Sequence, residues 1–460
     1  MDLRPPESWL QRQFQRLFQN ELFRRVVRNS GYLFGTTGIS AAAGMVGGIL
    51  SARLLGAAGF GTLGTITLFT SVINNFASFR MGELVVKYVG HYSEHDDSES
   101  AAAVFKLAAL FEMCASLVAF GLVLLLAPIG AQYFAKDPSA TPLFVLYGLV
   151  VLANLIAESS TGLLQIYDRF RRLAGLNIAQ SLVTLSLIVI TYLSGGGLIG
   201  ILIAYLAGKT IGAIGISLAA TVEARRRWGE GWWRARPTRL RPVWRDLARF
   251  AVSTNISATI SLVTKDSELL WVSLLRGPLE AGYYKLALAL ANMVQMPIDP
   301  MPQATYPELS RQVATHRWEN VRTLLRQGSR LAGGYSLSMT VMLVIFGALL
   351  IGLLYSPEFL PAYPALVILL VGLLIANTFY WRRVMLLALG RADYPAKVNA
   401  ALAVVKIGGT LLLVPTLGFL ASAALLSGFY ILGTLITVLK IRSLIAQGET
   451  PASLSASRGL

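Results

Sequence analysis

Hydrophobic residues in this chain form long, nearly continuous runs instead of alternating with polar residues. Such runs are too long for buried strands, and they lack the alternation of a membrane barrel strand. Each is about 20 residues or longer, which is the length an α-helix needs to cross a bilayer. The pattern therefore predicts an all-α polytopic membrane protein with about twelve transmembrane helices. The predicted helices cover residues 30–54, 59–79, 102–128, 142–162, 174–194, 197–221, 249–275, 280–301, 331–355, 362–382, 395–416 and 419–439.

Composition supports the same class. Of the 460 residues, 55% are hydrophobic and only 14% are charged, whereas a soluble domain has about 25% charged residues. These values exclude a water-soluble enzyme and a disordered chain. The single cysteine, Cys114, excludes an intramolecular disulfide and a cysteine metal cluster. No cofactor is expected.

The distribution of basic residues predicts the orientation. The net charge is +16, and nearly all loop Lys and Arg residues fall on one side of the predicted membrane. The loops on the other side carry only Arg53, Lys136 and Arg276. The positive-inside rule then places both termini in the cytoplasm, which requires an even number of helices. The same distribution explains the positive net charge, so no nucleic-acid partner is predicted.

The outer loops are all short, the longest being residues 131–141. A membrane glycosyltransferase or ligase that acts outside the cell would need a larger outer domain to build its site. That class is therefore the least favoured, and no catalytic residues are predicted.

One basic, Trp-containing stretch divides the helices into two sets of six. An even number of helices in each set gives both sets the same orientation, so the pattern predicts two parallel six-helix lobes, an architecture found in transporters. The linker is expected to contact anionic lipids at the inner membrane surface. The predicted segments are an amphipathic N-terminal segment 1–29, an N-lobe 30–222, the linker 223–248, a C-lobe 249–440 and a tail 441–460.

Local matches between the lobes support a repeat. Gly56 and Gly61 correspond to Gly277 and Gly282, and both pairs are 221 residues apart. Further along the chain, Ala153-Asn154 corresponds to Ala376-Asn377 at an offset of 223. The matches occur in order and at a nearly constant offset, which indicates an internal duplication.

The residues that match between the lobes also carry a resemblance. The stretch from Asp266 to Gly277, followed by Ala281–Ala287 and by Pro307 and Ser310, resembles the second-half signature of the polysaccharide and oligosaccharide (O-antigen type) flippases. Residues 52–61 resemble the opening of the same family. These flippases belong to the multidrug/oligosaccharidyl-lipid/polysaccharide exporter superfamily, together with multidrug exporters and lipid II flippases.

The resemblance implies a function and a location. Members of the family move undecaprenyl-pyrophosphate-linked sugars across the prokaryotic plasma (inner) membrane. It implies a lipid-linked oligosaccharide as substrate, H⁺ or Na⁺ as coupling ion, and polysaccharide assembly proteins as partners. A cation-coupled multidrug exporter of the same superfamily is the alternative, because it would share the helix pattern.

Polar residues within the apolar helices are the candidates for a substrate cavity. Charges at this depth cost several kcal/mol unless they are paired or hydrated. Two interpretations stay open: they pair structurally, or they line a hydrated cavity whose lysines bind the pyrophosphate. Likewise the asparagines either bind sugar hydroxyls or join helices. The candidates are Arg53, Asn74, Glu112, Lys209, Asn255, Lys265, Asp266, Glu268, Lys285, Asn292 and Lys406.

Two short motifs fit enzymes but lack the context those enzymes need. His91-Tyr-Ser-Glu94-His95 matches a zinc-protease pattern, yet it lies in a short loop with no soluble domain to complete a site. Gly208-Lys209-Thr210 resembles part of a P-loop, but position 203 is Ile203 where the motif requires glycine. Neither a metal site nor nucleotide hydrolysis is therefore predicted.

Overall fold

The computed structural model describes residues 21–78, 81–261, 267–391 and 393–447, and this part of the chain is almost entirely helical, with no β-strand. The α-helices are α1 Glu21–Ala77, α2 Met81–Glu94, α3 Ser98–Ile129, α4 Thr141–Ala153, α5 Ala157–Ile166, α6 Phe170–Ser194, α7 Gly197–Trp228, α8 Trp244–Ser261, α9 Glu268–Arg276, α10 Pro278–Gln295, α11 Met301–Ala314, α12 Trp318–Leu350, α13 Ala362–Thr378, α14 Arg382–Ala388, α15 Asp393–Leu417 and α16 Phe419–Gln447.

The apolar helices confirm a multi-pass membrane protein, although not the count of twelve. Nine stretches of the described residues are long and apolar enough to cross a membrane. One of them, Gly38–Ala77, has 40 residues, twice the necessary length, and the non-helical backbone of Gly56 divides it. Within the predicted helix 249–275, the described residues form α8 up to Ser261 and α9 from Glu268. With 9 and 18 residues, α9 and α10 are each shorter than the about 20 residues that a span needs.

The described residues form two compact units. Unit 1 comprises the described parts of Met1–Ser51, Ile73–Leu125 and Val145–Ser257. Its core contains Val85, Phe105 and Leu163, which are almost completely buried. Trp228 and Trp232 pack their rings at 5.9 and 5.5 Å from Phe105. Two of the four Trp residues of the basic linker therefore pack against this core, whereas Trp233 and Trp244 are exposed.

Unit 2 comprises the described parts of Ala52–Val72, Leu126–Phe144 and Ala258–Leu460. Its core includes Leu309, Val321, Met385 and Ile441, which come from α11, α12, α14 and α16. The boundaries of the predicted lobes stay a prediction.

Irregular backbone recurs at the offset found in the sequence. Gly56 and Gly277 both have positive φ with extended ψ, at (65°, −179°) and (91°, −178°). Single π-helical turns occupy Gly130–Phe134 and Ile351–Tyr355, again 221 residues apart. Irregular turns at matching positions are independent of hydrophobicity, so they support an internal duplication.

Candidate functional site

A polar cavity of about 420 Å³ lies within unit 1. It opens where α1 ends, α2 begins, and the chain breaks between α4 and α5. Apolar helices surround it, so polar side chains are concentrated at one place. The lining residues are Asn74, Ser78, Gly82, Glu83, Glu112, Ser116, Asn154, Ala157, Glu158, Thr161, Gly162 and Gln165.

Glu112 stabilises the break between α4 and α5. The first N–H groups of a helix have no partner within it. Here the buried carboxylate of Glu112, on α3, accepts the backbone N–H of Glu158 at 2.8 Å and that of Ser159 at 2.9 Å. It also accepts the Ser159 hydroxyl at 2.6 Å. A negative charge is favourable at this end of a helix, so Glu112 caps α5 from another helix.

Two glycines hold α2 against α5 beside the cavity. A Cβ atom on Gly162 would lie 2.6 Å from the carbonyl oxygen of Gly82, and one on Gly82 would lie 2.8 Å from that of Glu158. Only glycine allows the backbones to approach this closely. This contact places Glu83 and Glu158 at the same cavity.

The lining determines which ligands suit the cavity. Three carboxylates, from Glu83, Glu112 and Glu158, face it together with the amides of Asn154 and Gln165. Among the described lining residues, none is Lys or Arg. Amides and carboxylates form hydrogen bonds to hydroxyl groups and attract cations, so the cavity suits a sugar or a cationic group.

Sequence reasoning found some of these residues and missed others. Asn74 and Glu112 line the cavity, and the amide of Asn255 donates a hydrogen bond to the carbonyl of Ser78, which also lines it. Glu83 and Glu158 were missed because they lie at helix ends, where a charge is ordinary. Asn154 could have been found from the sequence, because it belongs to the Ala-Asn pair that the two lobes share.

Lys209 lies apart from this group, at a second cavity of unit 1. The volume is about 340 Å³, and the lining includes Gln180, Thr184 and Tyr205. Lys209 itself is exposed there. The partial P-loop match was dismissed from the sequence, and among the described residues no strand precedes Lys209.

Two lysines of unit 2 are bound by neighbouring groups. Lys406 is buried and forms an ion pair with buried Glu268, which also accepts the hydroxyl of Tyr284. Lys285 lies 3.8 Å from the ring centroid of Phe60 and donates to the Phe60 carbonyl at 3.2 Å. These contacts favour structural roles for both lysines.

The remaining candidates are dispersed. Arg53 donates to the carbonyl of Leu354 at 2.7 Å, and Asn292 is exposed. Lys265 and Asp266 lie outside the described residues. The structure thus places two of the candidates at the polar cavity and supports its wall with a third, while the complete assignment stays a prediction. Within the described residues, no group of three His, Cys, Asp or Glu could hold a metal ion.

Replacing Glu112 tests its role as a helix cap. Glu112→Ala leaves two backbone N–H groups and a hydroxyl without their acceptor, each costing about 1–3 kcal/mol when buried. We expect a clear fall in the melting temperature of the purified protein, measured by size-exclusion chromatography after heating. Glu112→Gln keeps one acceptor oxygen and should be intermediate. Equal stability of Glu112→Ala and wild type would contradict the capping role.

Comparison with known proteins assigns the class. The profile of a family described as "Polysaccharide biosynthesis protein" matches residues 26–313. This match covers more than half of the chain, so the protein belongs to that family, and its long apolar helices make it a multi-pass membrane protein.

One curated relative and several solved structures are similar to this chain. "Inner membrane protein YghQ" of Escherichia coli (strain K12) is 23% identical over 348 residues, which cover 75% of this chain and 97% of that protein. A multidrug resistance MATE family transporter of the MOP superfamily, solved in an inward-facing conformation, has a TM-score of 0.69 at 15% identity. The superposition covers 90% of this chain and 96% of the transporter. A MOP superfamily transporter from Pyrococcus furiosus has a TM-score of 0.64 at 16% identity, with 92% and 96% covered. These structures establish the fold.

Proposed function

We propose that this protein is a flippase that moves a polyprenyl-pyrophosphate-linked oligosaccharide across the plasma membrane by alternating access between its two lobes. The observation that carries the proposal is the polar cavity of unit 1, with its amide and carboxylate lining. Membership of the polysaccharide biosynthesis family makes a sugar the natural ligand for such a lining.

A flippase needs such a cavity for a physical reason. A sugar headgroup carries many hydroxyls, and moving each into hydrocarbon without a hydrogen bond costs several kcal/mol. The hydrocarbon core is about 30 Å thick, so the headgroup requires a polar path. The side chains of Asn74, Asn154 and Gln165 supply donors and acceptors to replace water.

The carboxylates have a second use in this proposal. Glu83 and Glu158 face the cavity and can attract a cation. A coupling ion, H⁺ or Na⁺, that binds there would link transport to an ion gradient. We also propose that both termini are cytoplasmic, because nearly all loop Lys and Arg residues lie on their side.

A cation-coupled multidrug exporter is the second candidate. The specific observation in its favour is the acidic character of the cavity, which suits an organic cation. The fold is equally compatible, since the similar structures include MATE transporters. A glycosyltransferase or ligase is the weakest candidate.

Deleting the protein distinguishes these functions. A flippase deletion should leave the lipid-linked oligosaccharide assembled but confined to the cytoplasmic leaflet, with surface polysaccharide lost. The measurement is access of a lectin to the intermediate in spheroplasts. Loss of tolerance to toxic cations with normal surface glycans would indicate an exporter. An intermediate that is exposed outside but unattached to its acceptor would indicate a ligase.

Adjacent asparagines provide a matched pair within the cavity. Asn74 lines it, whereas Asn75 does not. We expect Asn74→Ala to reduce leaflet transfer in the deletion strain about tenfold, corresponding to one or two lost hydrogen bonds. Asn75→Ala should transfer at nearly the wild-type rate. Equal activity of the two variants would mean that the Asn74 side chain in this cavity does not take part in transport.

A further inference from the structure

Unit 2 contains a cavity of about 580 Å³ with a strongly basic lining. It lies at the start of α12, beside the break between α13 and α14 and the last turns of α16. Positive charge and aromatic rings meet there in a recess, not on a convex surface. The lining residues are Arg322, Leu325, Arg326, Ser329, Arg330, Thr378, Phe379, Trp381, Ile441, Arg442 and Ile445.

Three of the four arginines share one helix face. Arg322, Arg326 and Arg330 follow one another at intervals of four residues on α12. Side chains four apart on a helix are neighbours, and like charges at this spacing repel. All three are exposed to solvent, so the repulsion is about 0.2–0.5 kcal/mol for each pair, and an anion between the guanidinium groups would remove it.

Side chains of the break between α13 and α14 pack closely against glycines of α12. A Cβ on Gly333 would lie 3.0 Å from the hydroxyl of Thr378, and one on Gly328 would lie 2.6 Å from that of Tyr380. The indole N–H of buried Trp381 donates to the Ser329 hydroxyl at 2.7 Å. The wall of the recess is thus fixed by packing, which is what a preorganised binding site requires.

Unit 1 contains an arginine cluster that provides an internal comparison. Arg169 donates to both carboxylate oxygens of buried Glu223 at 2.9 and 2.8 Å, and Arg172 and Arg227 lie within 3.6 Å of the same carboxylate. That cluster has its own anion. In the part of the chain that the structure describes, the four arginines that line this cavity form no ion pair with a carboxylate, and no lining residue is acidic.

We propose that this cavity binds the phosphoryl groups of a diphosphate, and that Arg326 and Arg330 hold them. Guanidinium groups bind phosphate oxygens through paired hydrogen bonds. Two adjacent phosphates match a row of arginines better than a single carboxylate does. The ring of Phe379 gives an attached apolar chain a surface to pack on.

The identity of the anion deepens the proposed function and rests on it. A lipid-linked oligosaccharide carries a diphosphate next to its sugar, and the acidic cavity of unit 1 offers that diphosphate no cation. The arginine cavity of unit 2 offers cations of the kind that a diphosphate requires. One of the two interpretations left open at the sequence level gave this role to lysines within the apolar helices.

A diphosphate could come from a membrane lipid or from solution, and binding experiments distinguish the two sources. The full-length protein is placed in phosphatidylcholine nanodiscs, and fluorescence or calorimetry follows binding of farnesyl diphosphate. We expect binding by the wild type, no competition by farnesol, and weakening as salt concentration rises. Competition by inorganic pyrophosphate would show that the phosphoryl groups suffice. Its failure at millimolar concentration would assign the site to lipids.

Charge variants test the residues. Arg326→Gln and Arg330→Gln should each weaken farnesyl diphosphate binding about tenfold or more, because each loses charged hydrogen bonds. Arg326→Lys keeps the charge without the paired geometry and should lose only a few-fold. The matched control is Arg311→Gln, which removes an exposed arginine paired with Glu308 at 3.2 Å, away from the cavity. Melting temperatures verify folding.

The outcomes separate this inference from the proposed function. Unchanged binding in the Arg326→Gln/Arg330→Gln double variant, or equal competition by farnesol, would overturn the inference even if leaflet transfer is normal. Diphosphate binding that depends on Arg326 and Arg330 would support it even if the deletion strain transfers its lipid-linked oligosaccharide normally. In that case only the flippase proposal would fail.

Discussion

Lys406→Met should lower the free energy of unfolding by about 3–5 kcal/mol, because it leaves Glu268 as a buried charge without its cation. The side chains of Lys406 and Glu268 are only 6% and 7% exposed. The two residues are 138 positions apart, so the pair joins α9 to α15 within unit 2. The measurement is the thermal or denaturant stability of the purified protein in detergent.

A double variant distinguishes the stability that comes from the ion pair from the cost of leaving one of its charges buried alone. In Lys406→Met/Glu268→Gln both charges are gone, and the remaining amide can still accept the hydroxyl of Tyr284. Replacing both members of a buried pair is often nearly neutral, so most of the lost stability should return. A double variant as unstable as the single one would mean that the charge left on Glu268 is not the cause of the lost stability.

Another lysine of α15 offers a matched control. Lys397 pairs with Asp393 at 2.6 Å, but their side chains are 76% and 61% exposed. Exposed pairs contribute about 0–1 kcal/mol, so Lys397→Met should scarcely change stability. If Lys406→Met instead folds as stably as wild type while transport is lost, Lys406 is a substrate or ion ligand and the structural interpretation is wrong.

The sequence predicted the membrane class well for a clear reason. Hydrophobic runs and loop charges are local properties, and each can be read without knowing its neighbours in space. The ion pair between Glu268 and Lys406 is not local. At the sequence level the nearest lysine on the same helix is Lys265, which lies outside the described residues, whereas Lys406 comes from a helix 138 positions further along the chain.

The polar cavity escaped prediction for a related reason. Glu83 follows a predicted helix and Glu158 lies in the last turns of the predicted helix 142–162, where charges are ordinary, and only the contact between Gly82 and Gly162 brings them to one cavity. The arginines of α12 were read as a topology signal, which they also are. That they share a recess depends on the break beside Trp381, which the hydrophobic run 362–382 conceals.

The repeat was visible in sequence, but its physical reason needed the structure. In unit 2, Glu358 accepts the backbone N–H of Ala57 at 2.9 Å, one residue after Gly56. Near the corresponding position in the first half, Lys136 donates to the carbonyl of Leu274 at 2.8 Å, just before Gly277. A carboxylate thus binds a helix beginning and an ammonium binds a helix end, in agreement with the helix dipole. These contacts fix the two glycine kinks.

The kinks allow two helices to cross at their matched glycines. A Cβ on Gly61 would lie 1.8 Å from the carbonyl oxygen of Pro278, and a Cβ on Gly282 would lie 2.0 Å from that of Ala57. Pro278 and Ala57 are themselves 221 residues apart. Because the obstacle is backbone on both sides, no rotamer change can make room for a methyl group.

Gly61→Ala should therefore separate the two helices and reduce leaflet transfer at least tenfold, with a melting temperature several degrees below wild type. Gly282→Ala should behave alike, and the double variant should be little worse than either single one, because each opens the same crossing. Gly48→Ala is the matched control: it lies on the same helix α1 with no atom within 4 Å of the added Cβ, and alanine favours a helix by about 0.5–1 kcal/mol over glycine. Wild-type stability and transfer in Gly61→Ala would mean that the close crossing is dispensable and that the repeated glycines serve only the kinks.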